Sequence, residues 1–156
     1  MESVLKLVDR ANKSLNTADH LTYVTYPLLK DTKLVVTIVE NLYNAFIYGM
    51  DAFLTYERLY KRIHNLPDDF SSRFDIFKTK VVPRYNIDRE HILLMVDLKK
   101  IIDYRHRSPI EFIRKDKIII CSDNYKMRTI NYDKIKEYVN KSKPFFTRLN
   151  RVFKVK

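Results

Sequence analysis

From Val35 to Ile63 apolar residues return at every seventh position, with Val35, Leu42, Gly49, Tyr56 and Ile63 on one seam. Ile38/Val39, Ala45/Phe46, Ala52/Phe53 and Leu59/Tyr60 fill the places between them. A repeat of seven held over this length marks a long helix buried along one face. The spacing predicts a nearly unbroken helix over residues 32–65, about 50 Å long at 1.5 Å per residue. Gly49 is the only glycine in the chain and lies on the seam. Glycine in a helix costs about 1 kcal/mol relative to alanine, so this position needs a packing reason: close approach by a second helix. Asp31-Thr32 supplies an N-cap, and Pro67 with Asp68-Asp69 stops the run.

The remaining chain divides around this element. Val4, Val8, Ala11, Leu15, Ala18, Thr22 and Thr25 alternate in steps of four and three, which is one helical face that Pro27 ends or kinks. Phe70, Phe74, Phe77 and Val81 fit a short amphipathic helix broken by Pro83. Asp88 then caps a helix running through about Tyr104. Between about residues 110 and 130, short β-branched runs separated by polar residues read as a β-ribbon of two or three strands. Asn131 or Asp133 caps a last helix that carries Ile135, Tyr138, Val139, Phe146, Leu149 and Phe153, with Pro144 kinking or dividing it. No internal repeat is evident. The expected fold is mainly α: an antiparallel four-helix-type bundle, one domain over 1–156, with a small β-ribbon inserted before the last helix.

Composition removes several functions. One glycine excludes the P-loop and the dinucleotide fingerprint, which need glycines where backbone approaches phosphate. Cys121, the single cysteine, excludes an internal disulfide and Cys-cluster zinc sites, and its apolar surroundings read as a small buried hydrophobe. His20, His64, His91 and His106 lack metal-ligand spacing, so no metal and no cofactor is expected. No window approaches the ~20 apolar residues of a membrane span, and no signal segment opens the chain. The expectation is a cytoplasmic protein that does not engage a membrane.

Charge is unevenly placed. Of the net +11, residues 1–99 contribute +1 and residues 100–156 contribute +10. Such asymmetry is the footprint of a polyanion-binding face if the residues converge, and of a solvated surface if they do not. The expected nucleic-acid-binding residues are Arg105, Arg107, Arg114, Lys115, Lys117, Lys126 and Arg128, with Phe112 and Tyr125 interleaved for stacking on unpaired bases. Tyr104-Arg105-His106-Arg107 is the most chemically loaded run. Metal-free RNA cleavage needs a base near the 2′-hydroxyl and cations near the phosphate, and Arg105 with His106 supplies both types. Helix-end capping by Arg105 and Arg107 is the competing reading.

Asp9-Arg10-Ala11-Asn12-Lys13-Ser14-Leu15, the stretch from Asp51 to Arg58 and the long paired helices resemble the HEPN superfamily, specifically its small archaeal members. The resemblance covers most of residues 1–107 and 131–153. It implies an antiparallel four-helix bundle, a homodimer, and either metal-independent RNase activity or RNA binding without catalysis, often beside a nucleotidyltransferase partner. Active members carry Arg-x(4–6)-His near the end of the third long helix. Arg105 occupies that place, but positions 110–112 are Ile110, Glu111 and Phe112, so the histidine is missing. Arg84 with His91, and Arg58 with His64, meet the bare spacing elsewhere. Three functions therefore stand: a non-catalytic RNA or polyanion binder, a metal-independent endoribonuclease, and an interaction subunit that docks an acidic protein.

Overall fold

The computed structural model describes residues 1–107, 111–114, 117–121 and 127–155, with side-chain surroundings described over 1–106 and 129–155. Helix α1 (Glu2–His20) continues through a π-helical turn over Leu21–Thr25 into the short α2 (Tyr26–Leu29). The long α3 spans Lys33–Leu59. Helix α4 (Phe70–Ile76) passes through a second π-helical turn, Phe77–Val81, into α5 (Val82–Tyr85), and α6 follows over Arg89–Arg107. Strands β1 (Glu111–Arg114), β2 (Lys117–Cys121) and β3 (Met127–Asn131) form an antiparallel sheet in sequence order. The last residue of β3, Asn131, also caps α7 (Tyr132–Val152) by accepting from Lys134 N at 2.8 Å. The mainly α fold with a small sheet before the last helix is the one the residue patterns imply.

Cross-helix pairs give the helix directions. Asn12 bonds Asn150, and Lys143 pairs with Asp19, so α1 and α7 are antiparallel. His91 meets Lys141 while Tyr138 donates to Asp97, so α6 and α7 are antiparallel as well. Phe46 packs on Phe146, and Phe53 on Phe153, so α3 and α7 run parallel. In an up-down bundle, two parallel helices face each other across the core. Gly49 makes their approach possible: a Cβ there would stand 2.9 Å from Phe145 Cε1 and 3.5 Å from Leu149 Cδ2. Around this contact Phe46, Phe53, Phe77, Phe145 and Phe146 are all fully buried.

The end of α3 differs from expectation. The helix stops at Leu59 rather than near residue 65, because Lys61 takes a left-handed conformation (φ 59°). Arg62 N then donates to Glu57 O at 2.9 Å and Lys61 N to Arg58 O at 3.0 Å, the paired bonds of a Schellman stop. Ile63 is still buried, but from the loop rather than from the helix.

Of the outcomes expected at the prolines, helix termination is not the one found. Neither Pro27 nor Pro83 ends its helix; each is followed by two more helical residues. Proline lacks an N–H and its ring crowds the carbonyl four residues earlier. A π-helical turn just ahead of each proline widens the helix there and absorbs the misfit. Left-handed residues, Lys30 (φ 49°) and Asn86 (φ 53°), then close both segments, and a long helix starts three residues later in each case. The two corners thus share one conformational sequence, although their residues show no repeat. Pro144 neither ends nor divides α7, which runs through it.

Gly49→Ala sets a helix-propensity gain of about 1 kcal/mol against overpacking of about 1–3 kcal/mol on the buried Phe145 ring. The expected outcome is a net loss of roughly 1 kcal/mol in urea unfolding. Phe145→Leu in the Gly49→Ala background should cost less than in the parent, because contacting residues couple. A Gly49→Ala protein as stable as its parent would contradict this account of the seam.

Candidate nucleic-acid interface

Pro144 creates the local geometry of the site. Its ring disturbs the carbonyls one turn earlier on α7, and His91, in the first turn of α6, meets one of them. His91 Nε2 lies 3.0 Å from Lys141 O. A carbonyl only accepts, so Nε2 carries the hydrogen. The imidazole is buried and sits edge-on to Phe145, with ring centres 5.8 Å apart. Here α6 and α7 leave a cleft of about 450 Å³ lined by Asn86, Asp88, Arg89, His91, Phe145 and Arg148 among others. A more open trough of about 510 Å³ lies beside it over α7, with Lys143, Thr147 and Arg151. Pro144 and Arg148 line both.

A buried ionic cluster positions Arg148. Glu57, 1% exposed, accepts from Arg62 Nε at 2.5 Å and from the Tyr85 hydroxyl at 2.6 Å, with Arg84 Nε 3.4 Å away. Burial alone would raise the Glu57 pKa; the Arg62 and Tyr85 hydrogen bonds and the Arg62 and Arg84 charges outweigh it, so the carboxyl titrates below its usual range. Burial and the adjoining Glu57 likewise raise Tyr85. Tyr85 O, on the same residue, accepts from Arg148 NH1 at 3.0 Å. The guanidinium at the shared wall of cleft and trough is therefore tied to the Schellman stop of α3 through one tyrosine.

Several arginines elsewhere are paired with carboxylates. Arg73 bonds Asp51 at 2.8 Å, and Arg105 pairs with Glu40. Arg89, Arg148 and Arg151 have no carboxylate partner among the described residues, and all three line the cleft or the trough. Lys143 is shared with Asp19 at 2.8 Å, and Lys141 with Glu137 at 2.7 Å. Asp88 contributes the one carboxylate to these linings, and its Oδ1 accepts from Glu90 N at 3.1 Å. Three guanidiniums against one carboxylate make a positive field suited to phosphate oxygens.

The residues expected from sequence fall in several places. Arg105 is half-buried against Glu40, and His106 is exposed on the next position of α6. Arg84 is held by Glu57 and does not line the cleft that His91 borders, so the two are not brought together there. Arg107 ends α6. In the sheet, Arg114 pairs in register with Lys117, and Arg128 with Ile120. Lys115 and Lys126 lie outside the described residues. Sequence reading missed Arg89, Arg148 and Arg151. Arg148 and Arg151 sit three apart on α7, a one-face spacing that was legible but was read only for its apolar residues.

A further cavity, of about 350 Å³, borders Tyr43, Asp51, Phe70 and Arg73. Burial and the nearby Asp103 and Asp51 charges push the Tyr43 hydroxyl up to about 12, so it stays protonated and offers no base. Among the described residues no group of three or more His, Cys, Asp or Glu could hold a metal ion, and no helix is long and apolar enough to cross a membrane. Compared with family models, curated proteins and solved structures, the chain matches none.

Glu57→Gln should cost on the order of 2 kcal/mol at neutral pH, the scale of a hydrogen bond to a buried charge. A carboxyl depressed on folding stabilises above its ordinary pKa of 4.5, and that contribution fades as pH falls through the lower folded value. The gap between parent and variant in urea unfolding should therefore narrow below about pH 4.5. A constant gap across that range would assign Glu57 a packing role only.

Proposed function

We propose that this chain is a HEPN-like helical protein that binds RNA or another polyanion through its C-terminal basic face without cleaving it. The carrying observation is the convergence of Arg89, Arg148 and Arg151 on one cleft and trough without carboxylate partners among the described residues. The +10 carried by residues 100–156 supports the same reading, and Arg107, Arg114, Lys115, Lys117, Lys126 and Arg128 are among the cations it counts beyond the cleft and trough. The bundle architecture agrees with the HEPN resemblance. Arg105 held by Glu40, and positions 110–112 lacking histidine, support binding over catalysis.

The protein acts as a homodimer in this reading. Leu28 (79% exposed) and Leu29 (66%) at the first corner offer an apolar surface that a second copy would cover. A concentration-independent mass near 18.8 kDa in sedimentation would remove the dimer. A nucleotidyltransferase is the partner that the resemblance adds.

Affinity for single-stranded RNA should fall with salt at a log–log slope of about −0.7 per phosphate neutralised. Arg151→Glu, and separately Lys115→Glu with Lys117→Glu and Lys126→Glu, should weaken binding similarly across sequences, since phosphate contacts carry no base information. Helical circular dichroism should not change. Absence of binding at ~50 mM salt, where screening is weak, would overturn the reading in favour of an acidic protein partner. Metal-independent RNA cleavage abolished by Arg105→Ala and His106→Ala, or by Arg84→Ala and His91→Ala, would replace binding by catalysis.

A further inference from the structure

We infer that the cleft between the start of α6 and the middle of α7 holds the terminal phosphomonoester of an RNA strand, while the trough over α7 carries the phosphates that follow. This rests on the polyanion reading and adds which part of the strand is recognised. The two cavities differ in form: the Arg89 cleft is the more enclosed, and the Arg151 trough lies open over α7. An enclosed cleft suits a strand end, and an open trough suits a backbone passing across it.

Charge distinguishes the two in the same sense. A phosphomonoester carries about −1.5 to −2 at neutral pH and three acceptor oxygens, whereas each internal diester carries a single charge. The cleft is lined by two arginines, Arg89 and Arg148. Each has five donors in a planar fork that matches a phosphate. Arg148 gives one N–H to Tyr85 O and is thereby held in position, with its other donors left over. Asp88 is the opposing charge in the lining, and its Oδ1 accepts from Glu90 N. Arg148 borders both spaces, so it lies where a terminal phosphate would pass into the next linkage.

The test is fluorescence anisotropy of the full chain with single-stranded RNAs of about ten nucleotides, identical in sequence but ending in a 5′-phosphate, a 3′-phosphate or hydroxyls only. One phosphorylated end should tighten binding about tenfold over the hydroxyl-ended strand, a difference of about 1.4 kcal/mol. Arg89→Gln, on an exposed side chain, should weaken the phosphorylated strand about tenfold more than the hydroxyl-ended one and so bring that ratio close to one. Arg148→Lys, which keeps the charge and loses the fork, should lower the ratio likewise and also weaken the hydroxyl-ended strand, since Arg148 borders the trough as well. Equal binding of all three strands by the parent overturns the end site and leaves the polyanion reading standing. Loss of binding to every strand overturns both. An end preference that survives both substitutions overturns the assignment to this cleft. A 5′-mononucleotide bound as tightly as the phosphorylated strand also overturns the strand-end reading and gives the cleft to a free nucleotide.

Discussion

The packing of α3 against α7 at Gly49 is the contact on which the rest of the molecule depends. Parallel helices that face across a bundle are ordinarily held apart by the side chains between them. Here the missing Cβ leaves a place that Phe145 fills, with its Cε1 2.9 Å from where that atom would stand. Phe145 also touches Phe46, Phe53, Phe146 and His91. One small residue on α3 thus sets the height of α7, and α7 carries Pro144, Arg148 and Arg151. Protein interiors pack too densely to let such a contact slide without disturbing its neighbours.

The helix ends convert that core into a surface with chemistry. The Schellman stop after α3 turns the chain so that Arg62 meets Glu57. Glu57 in turn takes the Tyr85 hydroxyl, and Tyr85 presents its carbonyl to Arg148. A buried carboxylate is costly unless paired and hydrogen-bonded, and here three partners from the loop after α3 and from α5 satisfy it. The π-helical turn ahead of Pro83 brings Tyr85 and Asn86 to their places without breaking the helix. A proline usually read as a terminator therefore helps build the wall of the cleft.

Four arginines of the bundle are paired with carboxylates: Arg62 and Arg84 with Glu57, Arg73 with Asp51, Arg105 with Glu40. The partly exposed pair of Arg105 with Glu40 contributes little to stability, but all four pairs remove a guanidinium from the set free to meet an anion. Among the described residues, Arg89, Arg148 and Arg151 keep theirs uncompensated and line the α6–α7 cleft and its trough. Arg105, the residue that sequence alone made the most chemical, belongs to the neutralised set. Arg148, which drew no notice there, is held ready by a backbone carbonyl.

Much of the architecture was legible because it is periodic. The heptad seam specified α3, the solitary glycine on it specified a close helix contact, Asp88 specified one helix start, and Asn131 or Asp133 marked another, which Asn131 caps. These are local signals: side-chain spacing and capping chemistry act within a turn or two of chain. The charge asymmetry after residue 99 was equally visible, since counting needs no fold. Tertiary structure alone decided that α3 would end at Leu59, that Pro27 and Pro83 would be absorbed by π-helical turns, and that Arg84 and His91 would have different anchors. It also decided which cations stay unpaired, because an arginine's partner lies far away in sequence: Glu40 for Arg105, Asp51 for Arg73. Pairing of that kind depends on which helix faces come together, and spacing along one chain does not contain it.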